Sequence, residues 1–269
     1  MNFVETLQKL EPAFIEAAKL AYAMQQTARS YNKTETGNPA GDIVTEADLA
    51  VQEKILVEMS KTDLTQCRLL AEEDTETVHK FNQTENYYLS VDPIDDTAIY
   101  ARGGEHFSTI VTLHDGKNIL YTFVHFPAWN WTHTVVNNSY EAAGKTPNFS
   151  LSPGADNTVV YWSGNPLENL PKEVLQDLES KNINFQPIAN IGTNIGSVGT
   201  FAANQIAGVY HENPNVFDGL TELSIALARN QKVYFGGPSG IIDLTDIREG
   251  KTTLQYSGYY MALNEVLSS

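Results

Sequence analysis

The chain has 269 residues, with 17 Lys and Arg against 33 Asp and Glu, and a net charge of −16 at pH 7. That surplus of acid argues against a nucleic-acid binder, which neutralises phosphates with clustered cations, so any phosphate handled here should arrive with metal ions. At 42% hydrophobic and 19% charged residues the composition is that of a globule, one large domain or two close lobes, and excludes disorder and collagen-like architecture.

Residues 1–24 are interrupted by Glu5, Lys9, Glu11, Glu16 and Lys19, so they lack the apolar core of a signal peptide, and no run of apolar residues is long enough to span a membrane. A cytoplasmic setting without membrane partners is expected. Apolar or small residues at Phe3, Leu7, Leu10, Phe14, Ala17, Ala21 and Met24 follow a helical rhythm, with a bend possible at Pro12. A second helix is expected after Thr45, through Val51, Ile55, Leu56 and Met59, with Glu46 and Asp48 where the helix dipole favours acid. Strands follow at Arg68–Ala71, Tyr87–Val91, His106–Leu113, Asn118–Phe126 and Trp131–Val136, with Asp115-Gly116 as a hairpin turn. The lone Cys67 reads as a core residue. Polar residues 137–157 suggest a boundary, dividing the chain into an N-terminal lobe, 1–150, and a C-terminal α/β lobe, 151–269. The second lobe should alternate a strand at Val159–Trp162, a helix at Pro171–Lys181, a strand near Asn184–Ile188, and helices from about Thr200 and Gly219. The plan is mixed α+β.

Four acidic motifs carry the chemistry: Asp42-Ile43-Val44-Thr45-Glu46-Ala47-Asp48, Ala71-Glu72-Glu73, Asp92-Pro93-Ile94-Asp95-Asp96-Thr97 and Phe217-Asp218. Glu72 and Asp92 stand where strands stop and Asp218 where a helix starts, and such ends converge on ligand sites in layered folds. Gathered carboxylates repel one another unless a multivalent cation sits among them. Their hard oxygens favour Mg²⁺ or Mn²⁺ over zinc, and paired ions about 3.5–4 Å apart are a common device for phosphoester hydrolysis. Each motif alone is an ordinary turn or a solvated pair; their order distinguishes them.

In that order and spacing the sequence resembles the inositol monophosphatase family of lithium-sensitive, magnesium-dependent phosphatases. Its pattern has an Asp-x-Val-Thr-x-x-Asp segment, a Gly-Glu-Glu step, Asp-Pro-Ile/Leu-Asp-Gly-Thr and a late Trp-Asp. The resemblance spans nearly the whole chain, including Ser197-Val198-Gly199-Thr200. It implies a layered α-β-α-β-α sandwich and Mg²⁺-dependent hydrolysis of a small phosphate monoester, inositol monophosphate or a related sugar-alcohol phosphate. It also implies two or three ions, inhibition by Li⁺, and a homodimer. By matching position, Glu72, Asp92 and the Ile94 carbonyl would hold one metal, and Asp95 and Asp218 would share a second with Asp92. Thr97 with Asp48 would orient and deprotonate the attacking water, with Thr45 and Glu73 in support. Backbone N–H groups of Asp96 and Thr97 would receive the phosphate. Gly199, Thr200 and Glu212 would face the alcohol.

Some positions depart from that pattern. Asp96 replaces a Gly beside the expected phosphate, where a carboxylate pointed inward would cost on the order of several kcal/mol; a solvent-facing side chain capping the next turn is the expectation. Phe217 replaces Trp, and Phe201 replaces a small residue and either narrows the pocket or turns into the core. A Gly-Gly pair expected after the last helix reads Arg229-Asn230, with Gly236-Gly237 further on, and Lys33 could stand for a loop lysine. His106, His114, His125 and His133 are read as packing residues rather than ligands, and Trp129 and Trp131 as core or interface. Two other readings are a 3′(2′),5′-bisphosphate nucleotidase, against which the scarcity of cations near the motifs counts, and a catalytically weakened family member with a binding role, disabled by Asp96.

Overall fold

The computed structural model describes residues 2–32, 43–82, 86–236, 242–249 and 254–264. Lys33, Asp42 and Gly237 lie outside the described residues. In chain order the elements begin with α1 (Phe3–Met24), β1 (Ser30–Asn32), β2 (Ile43–Thr45), α2 (Glu46–Met59), β3 (Arg68–Ala71), β4 (Tyr88–Asp95) and α3 (Thr97–Ala101). An antiparallel run follows, β5 (Ser108–His114), β6 (Ile119–Phe126), β7 (Trp131–Val136) and β8 (Ser139–Ala143). The second half holds β9 (Thr158–Tyr161), α4 (Pro166–Asn169), α5 (Lys172–Ser180), β10 (Asn184–Pro187), α6 (Ser197–Ala202), β11 (Gly208–Glu212) and α7 (Thr221–Ala228). It closes with β12 (Val233–Gly236), β13 (Asp243–Glu249), β14 (Leu254–Ser257) and β15 (Tyr259–Leu263).

Two sheets organise these elements. A six-stranded sheet runs β3-β4-β5-β6-β7-β8, parallel only between β3 and β4. A five-stranded sheet runs β10-β9-β11-β15-β12, with β9, β10 and β11 parallel and β15 antiparallel to both its neighbours. Strand alternation then builds three cores. Tyr121 and Phe123 of β6 face α1 and α2, joining Leu7, Phe14, Val51 and Ile55, while Val124 and Phe126 face inward. On β15, Tyr260 and Ala262 face inward, and Met261 and Leu263 pack with Val174 and Leu178 of α5. Between the sheets lie α6 and α7, through Val198, Phe201, Leu223 and Ile225. The result is a helix-sheet-helix-sheet-helix sandwich, the layered α-β-α-β-α arrangement expected.

α1 runs unbroken through Pro12. β8, α6 and β12 to β15 depart from the expectations. β8 falls inside the expected boundary; mostly solvent-exposed, it carries no hydrophobic alternation to betray it. α6 starts at Ser197 rather than Thr200. β12 to β15 were not anticipated, although β15 is the buried strand linking β11 to β12. Asn230, at φ 55°, takes the left-handed position after α7 that glycine commonly fills. Phe201 is fully buried, so it turns into the core rather than narrowing a pocket. Among the described residues, no helix is long and apolar enough to cross a membrane.

His106, His114, His125 and His133 are packed. Burial pushes His106, His114 and His125 down to about 4 and His133 to about 3, so all four are neutral near pH 7. His114 bonds Tyr256 Oη, His125 bonds Thr132 Oγ1 and His133 bonds Tyr140 Oη. Trp131 is buried against Phe126 and His133.

Candidate active site

β4 is buried along its whole length and ends in the Asp92-Pro93-Ile94-Asp95 segment, whose pairing with β5 slips between Asp92 and Asp95. The irregularity re-aims side chains that strict alternation would put on opposite faces. Carboxylate oxygens of Asp92, Asp95 and Asp218 come within 4.8 Å of one another. Ser108 Oγ donates to Asp95 Oδ2 at 2.9 Å, and Asn215 Oδ1 accepts from the backbone N–H groups of Phe217 and Asp218 at 2.8 and 3.0 Å. Tyr260 Oη donates to the Gly219 carbonyl at 2.9 Å, tying that turn to β15.

Asp48 is held by the start of its own helix. Thr45 and Asp48 form a reciprocal capping box: Asp48 Oδ2 accepts from the Thr45 backbone N–H at 2.7 Å and from Thr45 Oγ1 at 2.5 Å. The other oxygen, Oδ1, lies 3.2 Å from Thr97 Oγ1, whose single proton is shared between it and the Ile94 carbonyl at 2.8 Å. Glu73 is fixed through its backbone, which exchanges two hydrogen bonds with the buried Gln52 side chain at 2.9 and 2.6 Å. Its neighbour Glu72 follows β3, its N–H bonded to the Val91 carbonyl, and its charge is felt at both Asp92 and Asp218. Thr45→Ala would remove one side of the capping box. We expect a loss of about 1 kcal/mol in thermal unfolding, with a fall in turnover larger than that loss explains, because Asp48 would keep the Thr45 backbone N–H but lose the Oγ1 bond that helps to orient it toward Thr97.

The cluster is electrostatically uncompensated. Burial, then the charges of Glu72, Asp95 and Asp218, hold Asp92 well above the usual carboxylate range. Burial and the charge of Asp96 do the same to Asp95, against the hydrogen bond from Ser108. Asp218 is raised by burial, Asp95 and Glu222, with His211 opposing. Among the described residues, Asp92 Oδ1 and Asp218 Oδ1 are buried with no hydrogen-bond partner. Two orphaned anionic oxygens beside a third carboxylate suit a hard divalent cation, which would supply the missing positive charge. The donor set therefore fits a metal centre.

Asp96 corrects the sequence expectation. Its side chain makes no capping bond, and its Oδ2 lies against Gly196, where an added Cβ would come within 2.0 Å of it. The half-buried carboxylate is pushed up to about 8 by burial and then by Asp218 and Glu222, with Arg102 opposing. Its backbone is left-handed, φ 65° and ψ 42°, which explains why a glycine suits this position.

The residues expected at the alcohol separate. Thr200 is fully buried, and its hydroxyl donates to its own helix's neighbourhood, the Gly196 and Ser197 carbonyls. A Cβ on Gly199 would meet the Phe126 and Phe149 rings at 3.3 Å, so that residue lies in the core. Glu212, half-exposed at the end of β11, rests against Gly164.

A buried network beside the carboxylates was not legible as a motif. Ser197 Oγ donates to Glu222 Oε1 at 2.6 Å, and His211 Nε2 lies 3.5 Å from the same oxygen. Burial pushes His211 down, but Glu222 and Asp218 outweigh it and raise it. Burial likewise pushes Glu222 up, but His211 and Ser197 hold it below the usual range. The two form an ion pair. Ser108, Gln52, His211 and Glu222 carry no local signal because they lie far in sequence from the groups they hold; Asn215, three residues before Asp218, leaves only a local turn signal.

A layered sandwich with carboxylates gathered where β4 ends and just before α7 begins defines the fold and a candidate metal site. Residues 5–170 match the inositol monophosphatase family model, and the chain belongs to that family. No curated protein matches the chain. Among solved structures it is similar to a staphylococcal IMPase-I complexed with products (TM-score 0.63, 16% identity, covering 97% of this chain and 92% of that one). It is similar also to an IMPase/NADP phosphatase complexed with Mg²⁺ and phosphate (0.64, 16%, 97% and 92%). A third is the Thermotoga maritima IMPase (0.63, 17%, 96% and 92%). At these identities the similarity establishes the fold.

Proposed function

We propose that this protein is a Mg²⁺-dependent phosphomonoesterase acting on inositol monophosphate or a related sugar-alcohol phosphate. The convergence of Asp92, Asp95 and Asp218, with two buried oxygens in want of a cation, carries the reading. The Mg²⁺ and phosphate in the IMPase/NADP phosphatase structure support it. In this reading Glu72, Asp92, Asp95, Asp218 and the Ile94 carbonyl hold the ions, with Mn²⁺ an acceptable substitute and Li⁺ an inhibitor. Bound there, they would neutralise phosphate charge and acidify an attacking water. Thr97 can pass a proton toward Asp48, whose Oδ1 is 3.2 Å away while its Oδ2 is occupied by Thr45. That division leaves a hydroxyl lone pair on Thr97 to accept from water, a general-base arrangement set by geometry. Backbone N–H groups of Asp96 and Thr97 receive the phosphate, and Glu212 faces the alcohol.

The placement of Asp96 favours a second reading, a family member of weakened turnover. A carboxylate held toward Gly196 and the acidic cluster competes with a phosphate for the same positive charge. Phosphate release from inositol 1-phosphate, fructose 1,6-bisphosphate and adenosine 3′,5′-bisphosphate, with Mg²⁺ or with chelator, separates the two. The first reading expects release that chelator abolishes, with monophosphate preferred. No release from any substrate at saturating Mg²⁺ by folded protein would sink it in favour of the second.

A further inference from the structure

Trp162 stands apart from the other tryptophans. Trp129 and Trp131 pack against Phe126 and Phe149, whereas Trp162 is 52% exposed, unusual for a side chain that is mostly buried in folded proteins. It follows directly on β9, whose Val160 and Tyr161 lie opposite Val209 and Tyr210 of the parallel β11, so it emerges at the same sheet rim as His211 and Glu212. The carboxyl ends of neighbouring parallel strands are where such sheets bind ligands.

The indole is also anchored. Its Nε1–H donates to Ser197 Oγ at 3.2 Å, and Ser197 in turn donates to Glu222, the partner of His211. Because Ser197 directly follows Gly196, against which Asp96 rests, the chain of bonds leads from the indole edge to the carboxylate site. Two residues beyond Trp162, Gly164 at φ 82° brings the backbone against Glu212, so close that a Cβ would stand 1.9 Å from its Oε2. Trp162 and Glu212 therefore emerge near one another at the rim of the sheet. With its only donor already used, the ring can offer a ligand nothing but its face, and a fixed aromatic face recognises flat, weakly polar surfaces by stacking.

We propose that Trp162 is a stacking platform for the ring of the substrate's leaving alcohol, the C–H face of a cyclitol or sugar or the plane of a nucleobase. The inference rests on the phosphatase reading and narrows its substrates to phosphates carried by ring-bearing alcohols. Acyclic alcohols gain nothing from it.

The test compares the full chain with Trp162→Ala and Trp162→Phe in Mg²⁺, on inositol 1-phosphate, adenosine 2′-monophosphate and the acyclic glycerol 2-phosphate. The same two ring-bearing compounds are titrated calorimetrically, which needs no turnover. We expect Trp162→Ala to raise KM about tenfold for a ring-bearing substrate with kcat little changed, Phe to restore most of it, and glycerol 2-phosphate to stay within about twofold. The substrate that takes the loss identifies the ring, cyclitol or base. An equal loss on all three substrates, or none, overturns the stacking role while leaving the phosphatase reading intact. Should no protein turn over any substrate, the phosphatase reading falls and calorimetry decides alone: ring-compound binding lost in Trp162→Ala upholds the platform, and binding that is absent or unchanged rejects it.

Discussion

Replacing Asp92 by Asn should reduce Mg²⁺-dependent phosphate release by at least about 100-fold while making the metal-free protein more stable. The two effects have one cause. Asp92 is buried among Glu72, Asp95 and Asp218, so its charge is useful only when a cation answers it and is otherwise a source of repulsion. The same logic sets the pH dependence of the metal-free chain. Asp92, Asp95 and Asp218 are all raised, and Asp96 is raised to about 8, so the folded state holds these protons more tightly than the unfolded state. Their contribution to stability is complete below the unfolded value of about 4 and is lost as pH rises, through about 8 for Asp96. In chelator the melting temperature should therefore fall from pH 5 to pH 8. Saturating Mg²⁺ should flatten that fall, and Asp92→Asn should make it shallower without metal. Thermal unfolding across this range, beside a phosphate-release assay, checks both halves. A metal-free melting temperature independent of pH, or a variant retaining a tenth of its turnover, would contradict the account of the cluster.

Asp96→Gly should increase both activity and stability, an uncommon pairing for a substitution inside an active site. Two terms act in the same direction. A non-glycine residue at φ 65° costs about 1 kcal/mol, which glycine relieves. Removing the carboxylate also removes its repulsion with Asp95 and Asp218, and with any phosphate seated on the Asp96 and Thr97 amides. We expect kcat/KM for a preferred monoester to rise at least about tenfold, inorganic phosphate to bind more tightly, and the melting temperature in chelator to rise most near pH 8. Unchanged or lower kcat/KM, with a higher melting temperature, would mean that Asp96 takes part in recognition and that its strain is retained for function.

The order of the four acidic motifs carried the family and the carboxylate cluster, because acidic residues at the ends of successive elements leave short, ordered signatures. α1, α2 and β7 were legible because each buries one face, and the resulting periodicity is written locally; β4, β5 and most of β6 are buried on both faces and show instead as short runs rich in β-branched and aromatic residues. β8 was not, being mostly exposed, nor were β12 to β15, although β15 is buried.

The direction of Asp96 could not be read from its neighbours. A left-handed residue can turn its side chain outward or inward, and here Gly196, a hundred positions away, leaves the space that it enters. Ser108, Gln52 and the His211–Glu222 pair are likewise ordinary residues until packing brings them to Asp95, Glu73 and Ser197. Thr200 and Gly199, read as substrate contacts, instead give their polar and steric capacity to α6 and the core between the sheets. Local spacing determines which atoms can bind a cation and where elements begin. Which side chains finally gather at the carboxylate cluster, and which are spent on packing, depends on long-range burial, because desolvation and charge repulsion act through space and not along the chain.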